Sequence, residues 1–180
     1  MTGARVAPGT RRDVGLVTWL LARAAGRATG TEPPAIFLTL GRNKGLFWGW
    51  LHFAGRLMPG GRLPRRETEL VILRVATLAR SDYELTHHRR LGRRAGLTDA
   101  EIDRVTDGPE APGWSTRERL LLAATDELHA ERDLSDVTWR ALCAELDERT
   151  RLEFLMLVGH YEMLATTLRT LRVQPDRPRR

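Results

Sequence analysis

Cysteine is almost missing from this chain of 180 residues: Cys143 stands alone, so neither an intrachain disulfide nor a two-cysteine redox centre can form. Lysine is as scarce, with Lys44 the only one among 29 basic residues. No apolar run approaches the roughly 18 residues of a membrane span. Aromatic residues make up only 6% of the chain. What is present, 42% hydrophobic and 29% charged residues, is the profile of one globular domain and excludes a disordered, collagenous or disulfide-stapled chain. A domain of this length buries about 70% of the surface its unfolded chain exposes, enough for a core and an enclosed pocket.

The formal charge is +6 and the sequence pI near 10.7. Part of the excess lies after Pro175, in Arg177, Arg179 and Arg180, so the body is less basic than the whole. Such a balance permits a nucleic-acid partner without establishing one. With a single cysteine and no sign of an oxidising compartment, the expected location is cytoplasmic. Arg11 and Arg12 precede an apolar stretch as in a secretory leader, but Asp13, Arg23 and Arg27 break the pattern. Val14, Val17, Leu21, Ala25 and Ala28 recur instead at helical spacing, which predicts an amphipathic helix with these residues inward.

Punctuation marks helices throughout. Pro33 and Pro34 open a segment from Ala35 to Leu40; Pro59, Gly60 and Gly61 close another from Gly45 to Met58. Pro64 suits the first turn of a helix through Ala79. The next spans about Ser81 to Ala95 and stops at Gly96. Thr98 with Glu101, and Ser115 with Glu118, form capping boxes for helices ending near Asp107 and Ala130, the first with Leu97 and Ile102 as its staple. Ser135 caps another, and a last helix runs from Asp147 to Leu171, apolar enough from Phe154 to Val158 for burial on most sides. No strand pattern competes. The expectation is an all-α helical bundle in one domain over 13–172, with a flexible N-terminus (1–12) and a flexible basic tail (173–180).

On a wheel of about 100° per residue, Glu84, His88, Leu91 and Ala95 share a sector with Ser81 at its edge, while Arg89, Arg90, Arg93 and Arg94 point away. The arginine face is the wet one, so Glu84 and His88 turn inward. Glu69 lies among Leu70, Val71, Ile72 and Leu73 on the preceding helix, away from solvent. Burial and mutual pairing shift these groups in opposite directions, so the sign of each shift stays open. Three buried ionisable groups suit general acid–base catalysis. The same Glu–His spacing also serves as a purely structural tie between helices.

The stretch ETELVILRVATLARSDYELTHHRRLGRRAGLTDAEI, Glu67 to Ile102, resembles the signature region of the carboxymuconolactone decarboxylase and alkylhydroperoxidase D superfamily. A looser similarity runs from Pro33 to Leu171. The resemblance implies an all-α fold of the alkylhydroperoxidase D-like type and a homo-oligomer. In the peroxidase branch a Glu is followed twelve residues later by Cys-x-x-Cys-x-x-x-His. Here Glu69 and His88 match the Glu and the His, while Ser81 and Glu84 stand at the cysteine positions. Neither can carry thiol peroxide chemistry. The cysteine-free branch includes lactone decarboxylases that work without a cofactor. The resemblance therefore implies no cofactor and a small organic acid or lactone as substrate; no metal is expected, and the charge pattern and the lack of a long apolar run point to neither a nucleic acid nor a membrane as partner. It makes Glu69, Glu84 and His88 the catalytic candidates, with Ser81 and Tyr83 as substrate-binding donors.

Three alternatives stand beside this reading. One is a peroxidase relative that has lost its cysteines. Another is a metal site on the carboxylates and His88, although His87 sits about 100° round the helix from His88 and does not easily share an ion with it. The third is DNA binding by the arginine face, which Asp99, Glu101, Asp103 and Asp107 on the following helix oppose. The run LFWGWLHFAG, Leu46 to Gly55, is aromatic on several sides and is expected in the core or at a subunit interface. His160 is expected to be a satisfied core histidine, with His160 or Tyr161 near the pocket, and His129 to complement a helix dipole.

Overall fold

The computed structural model describes residues 3–179. Ten α-helices and one 3₁₀ turn form its regular structure: α1 Arg11–Val14, α2 Leu16–Thr29, α3 Ala35–Leu40, α4 Lys44–Leu57, α5 Arg65–Leu78, α6 Asp82–Arg94, α7 Asp99–Arg104 with a 3₁₀ turn Val105–Asp107, α8 Thr116–Glu131, α9 Asp136–Glu145 and α10 Glu148–Leu171. Among the described residues the only β pairing is an isolated bridge between Thr31 and Pro178. The fold is all-α, as expected. The described chain gathers into two compact units, residues 3–55 with 167–179, and residues 56–166.

In the first unit the predicted N-terminal helix is broken. Gly15, at φ 84°, separates α1 from α2, a conformation that costs glycine little. The buried stripe of α2 is Thr18, Ala22 and Gly26, one step round from the expected positions, and Val17 is 66% exposed. Close approach explains this: a Cβ on Gly26 would lie 2.6 Å from the Glu32 carbonyl oxygen, so small residues face inward and larger apolar ones outward. Phe47 is fully buried, with edge contacts to Phe37 and Trp48 at 5.6 and 5.4 Å. Segment 173–179 hydrogen-bonds back to this unit: Glu32 N–H donates to the Arg177 carbonyl and Arg179 N–H to that of Gly30.

The second unit is built on α5, in which every residue from Thr68 to Ala76 is buried. Leu70 and Leu73 from α5 pack with Leu97, Ile102, Val105, Ala111, Trp114 and Leu122 into one core cluster, each large side chain contributing about 2 kcal/mol by leaving water. Both predicted capping boxes are present, at Thr98–Glu101 and Ser115–Glu118. A helix surrounded in this way must neutralise whatever polar groups it carries. Arg74, 7% exposed, does so by donating from Nε and Nη2 to Asp126 at 2.6 and 2.7 Å and from Nη1 to the Val105 carbonyl at 2.7 Å. In α10, Phe154, Leu157, Val158 and Tyr161 are buried while Leu152 and Met156 are more than half exposed, so this helix buries a stripe and not most of its circumference.

Candidate active site

Glu69 enters the interior because α5 has no wet face along its middle turns, and its carboxylate has no exposure at all. Two neighbours stabilise its charge. One turn earlier, Arg65 Nη2 donates to Glu69 Oε1 at 2.6 Å. From the next helix, His88 Nδ1 lies 2.7 Å from Glu69 Oε2. A carboxylate only accepts hydrogen bonds, so Nδ1 carries a proton toward it and Nε2 points away from the pair.

A tight turn makes this meeting possible. Ser81 N–H donates to the Ala76 carbonyl and Arg80 N–H to that of Thr77, with Arg80 at φ 52°. This is a Schellman ending built on a non-glycine left-handed residue, which costs about 1 kcal/mol that the surrounding packing supplies. The turn lays α6 back along α5. The buried residues of α6 are Tyr83, Glu84, His88 and Gly92; Leu91 and Ala95, expected inward, stay half-buried. Gly92 fixes that choice, because a Cβ there would come within 3.1 Å of Leu97 and 3.4 Å of Leu73.

Glu84 is 2% exposed, and neither carboxyl oxygen meets a donor in hydrogen-bonding geometry. Burial pushes its pKa up to about 8; the nearby Ser81 hydroxyl opposes the shift and the Glu162 charge adds to it. A carboxyl of that kind is protonated at neutral pH and can donate. Ser81, itself 1% exposed, has a buried hydroxyl oxygen without a hydrogen-bonding partner, and it does not cap α6 with its side chain.

Other aromatic and imidazole groups crowd the same place. The Tyr161 ring stands edge-on to His88 with centroids 5.1 Å apart, and its hydroxyl lies 3.9 Å from the Met58 sulfur. Burial, followed by the charges of Glu69 and Glu84, holds the Tyr161 phenol well above its ordinary value, with Arg65 opposing. Burial, then the charge of His88, lowers His160 to about 4. Burial lowers His87 to about 3, with His88, Arg90 and Arg94 adding to the effect. At neutral pH the His87 and His160 rings and the Tyr161 phenol are therefore uncharged.

The structure thus brings Glu69 and His88 into contact and leaves Glu84 beside them as a separate neutral acid. The Glu84–His88 pairing that i, i+4 spacing suggests is replaced by one between helices. Tyr83 is buried, and its ring stacks against His87 with centroids 6.5 Å apart. His129 lies in the last turn of α8, as expected, and also meets Glu162 through Nδ1. Arg65 was not anticipated, although its spacing of four from Glu69 is the signal for an ion pair. Among the described residues no group of three His, Cys, Asp or Glu is arranged to hold a metal ion, and no helix is long and apolar enough to cross a membrane.

Residues 44–127 match the model of the carboxymuconolactone decarboxylase family. No curated protein matches the sequence significantly. Among solved structures, a peroxidase-related protein with an alkylhydroperoxidase AhpD core from Ralstonia eutropha JMP134 superposes with a TM-score of 0.85 at 15% identity, over 96% of this chain and 92% of that one. A peroxidase-related protein from Silicibacter sp. TM1040 gives 0.83 at 14% identity, over 97% and 95%. A Cys-to-Ala variant of the debrominase Bmp8, in complex with 2,3,4-tribromopyrrole, gives 0.79 at 16% identity, over 94% and 90%. These likenesses establish the fold. The family match spans the helices that carry Glu69, Glu84 and His88.

Proposed function

We propose that the chain is a cofactor-independent lyase or isomerase acting on a small carbonyl-containing acid or lactone, with Glu84 as the proton donor. The observation that carries this reading is a buried carboxyl whose oxygens meet no donor in hydrogen-bonding geometry, with only the nearby Ser81 hydroxyl opposing its raised pKa, one helical turn from a histidine that Glu69 holds. Such a group is costly to keep in a core and is typical of sites where protons move. In a decarboxylation, the bond from carbon to the departing CO2 breaks and its electron pair moves onto the neighbouring carbonyl oxygen. The enolate carbon then takes the Glu84 proton. The Glu84 carboxylate so formed is disfavoured by burial and regains a proton from water. His88, held by Glu69, accepts or returns a proton at Nε2 in an isomerisation. Ser81 and Tyr83 are the proposed donors to the substrate oxygen.

The test is a panel of small oxo acids and lactones, followed for CO2 release and, in D2O, for deuterium incorporation next to the carbonyl. Glu84→Gln and His88→Ala should each abolish turnover with the helical circular dichroism unchanged; full rates in both variants would remove the proposal. A second reading, favoured by the peroxidase-related neighbours, is a peroxidase relative without its thiols. Ser81 and Glu84 at the cysteine positions argue against peroxide reduction, and Cys143 is exposed on α9, far along the chain. Reduction of a hydroperoxide by the wild-type chain, lost in Cys143→Ser, would favour that second reading instead.

A further inference from the structure

Arg65 is only half used. Nη2 is committed to Glu69, while Nη1 is buried and has no hydrogen-bonding partner. A guanidinium presents paired N–H groups in a rigid fork, and leaving one arm of it dry and unmatched is costly. Ser81 and Glu84, both at least nine-tenths buried, also lack partners in hydrogen-bonding geometry. Glu69, which Arg65 holds through one oxygen, meets His88 through the other, and the Tyr161 ring stands edge-on to His88 with centroids 5.1 Å apart.

We propose that Arg65 is the carboxylate-recognition residue of this site, with Nη1 holding one oxygen of a small monocarboxylate while Glu69 fixes the fork through Nη2. The inference rests on the reading of the site given above for what the ligand is, but it concerns binding and not proton transfer. Glu69 already offsets most of the guanidinium charge, so a second carboxylate on the ligand finds no counter-charge among the buried groups. His88, Tyr161 and Ser81 supply dipoles, and the Glu84 carboxyl would repel a second anion if it ionised. The preferred ligand is therefore a monoanion, in a hydrogen-bonding arrangement that a neutral ester does not reproduce.

The experiment is a ¹H–¹⁵N NMR titration of the full chain at neutral pH with three probes: pyruvate, its neutral methyl ester and the dianion 2-oxoglutarate. Pyruvate should bind saturably, with shifts centred on residues 65, 69, 84 and 88, and more tightly than either other probe. Arg65→Gln should weaken pyruvate binding by about tenfold or more, the usual consequence of losing a charged partner to a carboxylate. Arg65→Lys keeps the ion pair to Glu69 as a point charge but has no second arm; it should fold as the wild type does and still lose most of the affinity. Equal pyruvate affinity in wild type and Arg65→Lys, no saturable pyruvate binding by wild type, or equal affinity for the methyl ester would each overturn the assignment. The two proposals separate cleanly. Pyruvate binding that depends on Arg65, alongside unchanged turnover in Glu84→Gln, would sink the acid–base reading and leave the recognition residue standing.

Discussion

Replacing Glu84 with glutamine should make the protein more stable, and by an amount that grows with pH. In the unfolded chain this carboxyl titrates near 4.5, and in the fold near 8. Between those values the native state holds a proton that the unfolded state has released, so stability falls as pH rises across the window and levels off above it. With about 1.4 kcal/mol per pKa unit, the wild-type penalty is about 1 kcal/mol at pH 5, about 3 at pH 7 and about 5 at pH 9. The glutamine side chain has the same shape without an ionisable proton and escapes that penalty. Urea unfolding of both proteins at matched pH isolates it, because groups that titrate alike in the two chains cancel in the difference. The neighbours that must behave alike are Ser81, the residue before α6, and Tyr161 and Glu162 on α10. A gap that stays constant within about 0.5 kcal/mol from pH 5 to pH 9 would refute the assignment of a neutral buried acid. A variant that gains stability while losing turnover is the trade-off expected of a group kept for its chemistry.

Three further outcomes follow from the same geometry. Arg74→Ala leaves Asp126 and the Val105 carbonyl without their donor and should cost about 3–5 kcal/mol in chemical denaturation, whereas Arg74→Ala combined with Asp126→Ala should cost less than the sum of the single changes. Glu153 accepts from Arg62 N–H at 2.7 Å and from Leu63 N–H at 3.0 Å; Glu153→Ala should cost about 2 kcal/mol and speed amide exchange at those two positions. Cys143 is exposed, so Cys143→Ser should leave both stability and any turnover of oxo acids unchanged; a loss of turnover would point to thiol chemistry.

The helix ends were readable because their chemistry is local. Thr98 with Glu101 and Ser115 with Glu118 satisfy orphan N–H groups within four residues, so the sequence contains both halves of each interaction. The inward face of α2 was not readable. Its apolar period marks Val17 and Leu21, but the decisive contact is between backbones at Gly26 and Glu32, which no hydrophobic count records. The break at Gly15 was hidden in the same way, inside a continuous apolar pattern. At the site, placing Glu69, Glu84 and His88 in the interior needed only the wheel. Which carboxylate His88 would meet depended on the Arg80 turn and the close fit at Gly92, both of them tertiary choices. The free arm of Arg65 was beyond reach, because an unmatched donor is defined by everything that surrounds it.

Glu153 grips the segment that leads into α5 from far downstream in the chain, and Tyr161 reaches His88 from the same late helix. The stretch that matches the family model, residues 44–127, contains Glu69, Glu84 and His88 but neither the brace at Arg62 and Leu63 nor the ring that lies edge-on to the histidine. An excised fragment or a domain graft cut at those limits would inherit these three side chains without their alignment, and recombination between distant relatives should succeed only when both segments travel together.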